Sequence, residues 1–338
     1  MTDEAAPSRL TLNDVATASG VSKATVSQVL RNTGRISPET RRHVLDTVKR
    51  IGYVYNRSAA NLRAGRSTIV GIGISSLVNP FFADLVEGAS EVLEAEQYFP
   101  MVVALDDDLK RQDRFGVTMR ETAAAGAILC PAPHTTADRI AQFAAGAERC
   151  VSVLRRPVPG MLDFVGVDND AGIEMAVAHL TNLGHRDIGY IGGRPSSESR
   201  DARLASWARS LRDAGLNHDA ARTEACDATI TAASQATARL LSRCPELTAL
   251  VCHQDIVAFG ASIGLHKVGR VPGQTFALVG FDDISMAADW DPPLTTVSVT
   301  PRELGAEAAR LLLRRIAEPE APLKSVFIQP KLIIRKST

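Results

Sequence analysis

The sequence predicts an α/β protein in which an all-α helix-turn-helix headpiece precedes two lobes, each built on a parallel sheet. Residues 11–51 place apolar residues at helical spacing around a turn that contains Gly20. From Thr68 onward, continuous apolar runs alternate with helical stretches of about 12–15 residues, which is typical of parallel sheets covered on both faces. This pattern restarts at DFVGVD (163–168) and therefore predicts a second open sheet.

The composition is that of an ordinary globular protein. The chain has 338 residues, of which 45% are hydrophobic and 22% charged, so disordered and collagen-like classes are excluded. At about 100–200 residues per domain, this length predicts two or three domains. The N-terminus lacks the pattern of a signal peptide, and no apolar run approaches the roughly 18 residues of a transmembrane helix. We therefore expect a cytoplasmic protein that does not contact a membrane.

The cysteines indicate a reducing compartment. Five cysteines occur without a C-x-x-C pair, and most of them lie in apolar runs such as AILC and LVC. Buried reduced thiols are favoured over the alternative, a disulfide or metal framework.

Positive charge is concentrated at the N-terminus. Residues 1–66 contain eleven Lys and Arg against five Asp and Glu, whereas the whole chain has 38 of each kind. A basic segment attached to an acidic body is typical of an anion-binding module, although a merely solvated charged face is the alternative.

Three short helices are expected in the headpiece. The first has Leu12, Val15 and Ala16 on one face and ends at Gly20, and the second follows a predicted N-cap at Ser22. The third starts after Ser37-Pro38 and runs to Ile51. Its predicted apolar face consists of Val44, Leu45, Val48 and Ile51. Its basic residues, which are either phosphate contacts or only solvated, are Arg41, Arg42, Lys49 and Arg50.

Several motifs of this segment occur together in one known family. They are DVA, GVS-x-A-TVS-x-VL-x-N, ISPETR, IGY and NLR-x-GRS. Over residues 10–66 the chain closely resembles, without a gap, the DNA-binding headpiece of the LacI/GalR family of bacterial transcriptional regulators. The resemblance implies a DNA-binding headpiece over residues 10–55 and a hinge helix with its linker over residues 56–66.

The resemblance assigns base reading to the second helix, at Lys23, Ala24 and Gln28. Their chemistry suits this role, because Lys donates to guanine, Gln pairs with adenine through two hydrogen bonds, and Ala fits against a thymine methyl group. Phosphate contacts are expected from Ser22, Thr25 and Ser27, for which helix capping or packing is the alternative role.

In the hinge, the resemblance places Leu62 as the side chain that wedges into the minor groove and Ala59 at the contact between two hinge helices. Simple packing is the alternative role for Leu62. The chain departs from the family at Tyr55, where a Pro is usual, and at Ala60, where an Arg is frequent. The absence of the Pro makes the entry to the hinge less rigid.

The rest of the chain resembles the effector domain of the same family, which is similar to periplasmic sugar-binding proteins. The matching motifs are NPFF, VGVDNDAG, HLTNLGHRDIGYIGG, ALVGFDDISMA and PPLTTVSV. The resemblance implies an effector-binding and dimerisation domain over residues 67–338. Lobe 1 would comprise about 67–163 and 300–327, including the helix after Pro301, and lobe 2 about 164–299 and 328–338.

Ligands of open α/β sheets bind outside the carboxyl ends of the strands, so a small effector is expected between the lobes. By resemblance its contacts are Phe81, Phe82, Arg203 and Asp282, which suit the C–H faces and hydroxyl groups of a sugar. The alternatives are a core aromatic for Phe82, a surface ion pair for Arg203 and a loop cap for Asp282. Asp106 and Gln254 are further candidates.

Two of these positions lie in motifs that depart from the family. Gln254 lies in His253-Gln254-Asp255, where the family commonly has an AND-type motif. The family often has an aromatic residue near the position of Ala228, so one stacking wall is expected to be missing.

Other classes of protein fit the sequence less well. It contains no Walker A, G-x-S-x-G or H-E-x-x-H motif, and its seven histidines are scattered, so an enzyme is not expected. The run Asp106-Asp107-Asp108 is interpreted as a solvated loop rather than a metal site, and no metal or cofactor is expected.

We therefore expect a homodimeric regulator, most simply a repressor of carbohydrate-related genes, that binds a near-palindromic operator under the control of a small effector. The alternatives are a DNA-binding regulator that does not respond to a ligand and a sugar-binding protein without a regulatory role.

Overall fold

The computed structural model describes residues 10–31, 33–54, 67–144, 149–195 and 197–338. The chain divides between Ser67 and Thr68 into two compact units. In the part of the chain that is described, no helix has both the length and the apolar character needed to cross a membrane.

The headpiece contains the three predicted helices, α1 (Leu12–Ser19), α2 (Lys23–Leu30) and α3 (Pro38–Ile51). Gly20 ends α1 in the left-handed region, with φ of 67°. Ser22 and Ser37 cap the next two helices, because their hydroxyl oxygens accept hydrogen bonds of 3.1 Å from the backbone N–H groups of Thr25 and Thr40.

The core of the headpiece lies between these helices. Its buried residues are Val15, Val26, Val29, Val44 and Tyr53. The prediction that Leu45 of α3 belongs to the core is wrong, since Leu45 is 41% exposed and Thr47 is buried instead. The buried face of α3 follows Val44 at steps of three and four residues, and Leu45 lies one step, about 100°, away from that face.

The second unit contains the two predicted sheets, and each has six strands. The first sheet has the order β11-β5-β4-β3-β1-β2 and comprises β1 (Ile69–Ile74), β2 (Phe99–Ala104), β3 (Gly126–Leu129), β4 (Cys150–Val153), β5 (Asp163–Val167) and β11 (Ser325–Ile328). The second has the order β12-β10-β9-β8-β6-β7 and comprises β6 (Ile188–Ile191), β7 (Thr223–Glu224), β8 (Ala249–Cys252), β9 (Ala277–Asp282), β10 (Thr295–Ser298) and β12 (Lys331–Ile333). Neighbouring strands are parallel except for the pair of β10 and β12.

Helices connect these strands. They are α4 (Pro80–Ala95), α5 (Leu109–Glu121), α6 (Ala137–Ala144), α7 (Asn169–Asn182), α8 (Glu198–Asp213), α9 (Ile230–Arg243), α10 (Asp255–Lys267), α11 (Met286–Asp289) and α12 (Pro301–Ala317). The helix after Pro301, α12, lies in lobe 1 against α4, as expected. The two helices approach closely at Gly88, where a Cβ atom would lie 1.9 Å from the carbonyl oxygen of Arg302.

The predicted lobe boundary is wrong at β5. This strand was expected to open lobe 2, but it pairs with β4 and β11 in the first sheet. The buried carboxylate of Asp163 holds it there by accepting hydrogen bonds of 2.7 Å from Arg315 Nε and the backbone N–H of Lys324, both in lobe 1. Lobe 1 therefore comprises residues 68–167 and 301–328, and the chain crosses to lobe 2 at Asp168.

Candidate DNA-binding surface and effector cleft

The predicted reading face of α2 consists of Lys23, Ala24 and Gln28. Lys23 and Ala24 are exposed and Gln28 is half-buried, while Val26 and Val29 on the other side of the helix are buried in the core. The helix therefore presents the three predicted base-reading side chains outward without loss of core contacts.

Gln28 has a defined neighbour in the loop that follows α2. Its side chain lies over Gly34, where a Cβ atom would approach the Gln28 carboxamide carbon to 3.1 Å. The backbone N–H of Thr33 also donates to the carbonyl of Gln28 at 2.9 Å. Gly34, with φ of 75°, thus leaves room for this side chain.

Two of the three predicted phosphate contacts already bind each other. The hydroxyl groups of Ser22 and Thr25 lie 2.9 Å apart, and Ser22 also caps α2. Ser27 is half-buried in the middle of the helix. Capping is therefore one role of Ser22 in the free protein, and its exposed position leaves it accessible to a phosphate.

The basic residues of α3 divide into two kinds. Arg41 and Arg50 donate, at 3.4 Å each, to the carbonyl oxygens of Val29 in α2 and Ala18 in α1. Positive charge at the carboxyl end of a helix is stabilising, so these two side chains have a structural role. Arg42 and Lys49 are exposed. The predicted hinge residues Ala59 and Leu62 lie outside the described residues.

The predicted effector cleft lies between the two lobes, at the carboxyl ends of their parallel strands. It contains an inner cavity of about 50 Å³ and an outer cavity of about 370 Å³, which share several lining residues. The outer volume lies in the range of small-molecule sites, and the inner cavity is its narrow continuation, because residues such as Phe82, Arg155 and Gln254 line both. Five predicted contacts line the inner cavity, namely Phe81, Phe82, Arg203, Gln254 and Asp282. Asp106 lines the outer one.

The two walls of the inner cavity differ in character. Lobe 1 contributes mainly apolar side chains, and lobe 2 contributes only polar ones. The wall from lobe 1 is Phe81, Phe82, Cys130, Leu154, Arg155 and Val167, and the wall from lobe 2 is Asn169, Ser199, Arg203, His253, Gln254 and Asp282. The rings of Phe81 and Phe82 are perpendicular, with centroids 5.3 Å apart.

Arg203, in α8, is held in place on several sides. Its Nε donates to Asn169 Oδ1 at 2.7 Å, and Nη1 donates to the carbonyl oxygen of His253. Its guanidinium carbon lies 3.6 Å from the ring centroid of Phe281. Burial lowers the pKa of Arg203, and the nearby carboxyl of Asp282 opposes this shift. The alternative role as one member of a surface ion pair does not fit these surroundings.

Asp282 offers an unused hydrogen-bond acceptor. Asp282 is the last residue of β9, and its backbone lies in the left-handed region, with φ of 118°. The residue is 3% exposed. Its Oδ2 atom has no hydrogen-bond partner among the described residues. Burial raises the pKa of Asp282 to about 7, although Arg203 and Gln254 oppose the shift. A buried acceptor of this kind costs free energy until a donor reaches it.

The loop after β9 is anchored by Asp255 rather than by Asp282. The Asp255 carboxylate accepts from the backbone N–H of Ile284 at 2.9 Å and from Thr296 Oγ1 at 2.5 Å. Burial, followed by the charge of Asp282, raises the pKa of Asp255 well above its usual range. Asp282 is therefore not needed as a loop cap and remains directed to the cleft.

At the carboxyl end of β2, Asp107 is the more enclosed acidic residue. Asp106 is exposed and pairs with Arg111, whereas Asp107 accepts from Ser75 at 2.6 Å and from both terminal nitrogens of Arg155 at 2.6 and 3.2 Å. Burial alone would raise the pKa of Asp107, but Arg155 and Ser75 outweigh it and lower the pKa. Nothing in the run of three aspartates distinguishes Asp107 from its neighbours, and sequence reasoning did not select Arg155.

His253 is a second residue that sequence reasoning did not select, although it stands in the altered motif before Asp255. Its Nδ1 lies 2.8 Å from the hydroxyl of Tyr190, and it lines both cavities. Burial lowers the pKa of His253 well below its usual range, and the charges of Arg203, Arg200 and Arg155 add to this effect. The imidazole is therefore neutral near pH 7.

Thiols and carboxylates form no metal site in the described ranges. No group of three or more His, Cys, Asp or Glu side chains there is arranged to hold a metal ion. The five cysteines are unpaired, and four of them are buried. Asp108 caps α5 through the backbone N–H of Arg111 at 2.8 Å, so each acidic residue of the run 106–108 has a protein partner.

Known protein families match both the headpiece and the two-lobed unit of this chain. Residues 11–56 match the model of bacterial regulatory proteins of the lacI family, and residues 177–338 match a periplasmic binding protein-like domain. The maltose regulon regulatory protein MalI of Escherichia coli is 31% identical over 97% of this chain and 98% of its own length. The transcriptional regulator CelR of Thermobifida fusca is 30% identical over the same shares.

Solved structures show the same two-lobed fold with an N-terminal headpiece. The Lac repressor dimer bound to operator and the anti-inducer ONPF superposes with a TM-score of 0.88 at 25% identity, covering 97% of this chain and 99% of that one. A complex of the regulator CelR with cellobiose gives a TM-score of 0.74 at 27% identity, covering 98% and 100%. The predicted fold class is confirmed.

Proposed function

Because this chain belongs to the LacI family of bacterial DNA-binding transcriptional regulators, we propose that it is a ligand-responsive repressor of carbohydrate-related genes. It acts in the cytoplasm as a homodimer on a near-palindromic operator. A small effector, a sugar or sugar derivative, binds in the cleft without a cofactor. The similar proteins named above are regulators, which supports a role other than catalysis.

The unlike walls of the inner cavity carry the effector assignment. A sugar has C–H faces that pack on aromatic rings and hydroxyl groups that need polar partners. Phe81 and Phe82 supply the apolar wall, and Arg203 and the unpartnered Asp282 supply a donor and an acceptor. That CelR was solved with cellobiose supports the same class of ligand here.

The outward position of the α2 reading face supports sequence-specific DNA binding. Lys23 and Gln28 contact base edges in the major groove, Ala24 meets a thymine methyl group, and Ser22, Thr25 and Ser27 contact phosphates. A two-fold symmetric dimer requires a site with the same symmetry. Leu62 wedges into the minor groove, and Ala59 lies at the contact of paired hinge helices.

Effector binding changes operator affinity by favouring one relative orientation of the lobes. A coupling of about 1–3 kcal/mol is expected for such linkage, which corresponds to roughly 5- to 150-fold in affinity.

Selection of binding sites from random-sequence DNA tests the operator part of the proposal. We expect a near-palindrome with two half-sites. A Leu62→Ala variant should bind this site more weakly while its headpiece remains folded, as monitored by circular dichroism. Selection of no sequence would contradict the assignment of the reading face.

Calorimetric titration with neutral sugars, sugar acids and sugar phosphates tests the effector part. Binding of one compound to the wild type, and its loss in Asp282→Ala, is the expected result. If DNA is selected but no compound in the panel binds or alters DNA affinity, a ligand-independent regulator is favoured. If a sugar binds and no DNA is selected, a sugar-binding protein without a regulatory role is favoured.

A further inference from the structure

One hydrogen bond joins the lobes away from the segments where the chain crosses between them. The backbone N–H of Arg156, which follows β4 in lobe 1, donates to Glu198 Oε2 in lobe 2 at 3.0 Å. In the described ranges, no other hydrogen bond or ion pair links the two lobes apart from the crossing segments. We name this contact the interlobe bond.

In lobe 1, the side chain of the donor residue, Arg156, contacts the two strands that lead into lobe 2. The Arg156 guanidinium carbon lies 5.2 Å from the ring centroid of Phe164 in β5 and 5.7 Å from that of Phe327 in β11. These two rings also contact each other edge to face, with centroids 5.6 Å apart. Cation–π contacts of this kind restrain the arginine side chain. They hold Arg156 close to β5 and β11, the two strands after which the chain crosses to lobe 2.

On lobe 2, the acceptor stands on the helix that carries the effector contacts. Glu198 is in the first turn of α8, directly before Ser199 and five residues before Arg203, and both of these line the inner cavity. The residue before the donor, Arg155, lines the same cavity from lobe 1 and pairs with Asp107. The interlobe bond therefore connects the polar wall of the cleft to the opposite lobe.

We propose that Glu198 is a positioning residue of the effector cleft, whose carboxylate holds α8 against lobe 1 through Arg156 and so keeps the cleft closed before an effector binds. This inference rests on the proposed effector site and specifies how its two walls are kept together. A carboxylate acceptor makes a stronger hydrogen bond to a backbone N–H than a neutral one. Because the bond is exposed and water competes for it, we expect it to change the ratio of closed to open cleft by about fivefold.

Distances between spin labels in the full-length protein test this proposal. Labels at Lys110→Cys in lobe 1 and Gln235→Cys in lobe 2 lie on exposed positions that line neither cavity. Cys226→Ser removes the one native cysteine that is not buried. Dilution with unlabelled protein isolates distances within one protomer. Wild type, Glu198→Ala, Glu198→Gln and Asp201→Asn are compared in this background without effector or DNA.

In Glu198→Ala, we expect the ratio of the longer, open-cleft distances to the shorter, closed-cleft distances to rise about fivefold. Glu198→Gln keeps an acceptor oxygen and should raise this ratio less. Asp201→Asn removes a carboxylate from the same first turn of α8 but no interlobe bond, and should leave the distribution unchanged. Hydrogen exchange of the Arg156 amide should accelerate in Glu198→Ala alone.

Distributions and exchange rates of Glu198→Ala that match those of Asp201→Asn would overturn the positioning role. Because neither effector nor DNA is present, this failure differs from failure of the proposed function, which would show itself in the titrations and in DNA selection.

Discussion

The proposed reading face of α2 and the polar wall of the cleft differ in how far their side chains are buried. Lys23 and Ala24 are exposed to water, whereas Arg203 and Asp282 are 7% and 3% exposed and are enclosed by other parts of lobe 2. Contacts to DNA from exposed side chains are screened by salt and can be exchanged at little cost to the fold. Buried polar groups affect binding and stability together. Operator preference should therefore change by substitution more readily than effector preference.

Arg203→Ala should give the largest effect in the cleft. It removes the donor to Asn169 and His253 and leaves buried acceptors without partners. We expect effector affinity to fall by about 100-fold or more and the melting temperature to drop by several degrees. Calorimetry and thermal unfolding measure the two effects.

Arg209→Ala is the matched control, since Arg209 lies on the same helix but pairs with Asp170 and Glu174 at the surface. It should change neither quantity appreciably. Equal effects of the two substitutions would show that Arg203 has no special place in the cleft.

Asp282→Asn should separate binding from stability. The amide cannot ionise, so the free energy of burying a carboxylate is no longer lost, and we expect a higher melting temperature at pH 8. Effector affinity should fall by about 10- to 100-fold, because the acceptor loses its charge. A lower melting temperature together with unchanged affinity would remove Asp282 from the site.

Effector binding should strengthen as the pH rises through neutrality. With a pKa of about 7 in the free cleft, Asp282 is mostly protonated at pH 6 and ionised at pH 8. An effector hydroxyl that donates to Oδ2 binds the ionised form, so affinity should rise about tenfold from pH 6 to pH 8. Burial keeps the pKa of His253 well below its usual range, so His253 does not account for a rise in affinity between pH 7 and pH 8. Titrations with Asp282→Asn should show no such dependence, and a rise that persists in this variant would assign it to another group.

Gln28→Ala should give the smallest effect on the whole protein. Loss of a side chain that pairs with one base should relax the preference at that base pair by about fivefold or more. The melting temperature should stay unchanged, since Gln28 is half-buried and lies outside the core. Competition assays with single-base operator variants measure the change. A destabilised headpiece with unaltered preference would mean that Gln28 packs on Gly34 and does not read DNA.

The elements of both regions follow from local patterns in the sequence. Capping residues such as Ser37 and the apolar spacing of α1 and α2 are local signals, and strands such as β1 and β8 are continuous apolar runs. The prediction assigned β5 to the wrong sheet because the pattern DFVGV is equally compatible with a buried parallel strand in either sheet. Only its contacts with Arg315 and Lys324, more than a hundred residues away in the chain, decide its place.

The cleft was predicted less completely than the headpiece. Its predicted contacts come together, but the choice of Asp106 over Asp107 could not be made from three consecutive aspartates. Arg155 and His253 enter the site through distant partners, Asp107 and Tyr190, which lie 48 and 63 residues away in the chain. Pairings over such separations leave no periodicity in the sequence, whereas the reading face of a single helix does.

A footprint of the purified protein on the DNA upstream of its own gene, at fixed salt and with the sugar panel added one compound at a time, shows whether an effector in the cleft controls operator binding. We expect protection of a near-palindrome that one compound abolishes or strengthens in the wild type but not in Asp282→Ala. Protection that every compound leaves unchanged, although one of them binds in the cleft by calorimetry, would contradict the coupling of effector and operator.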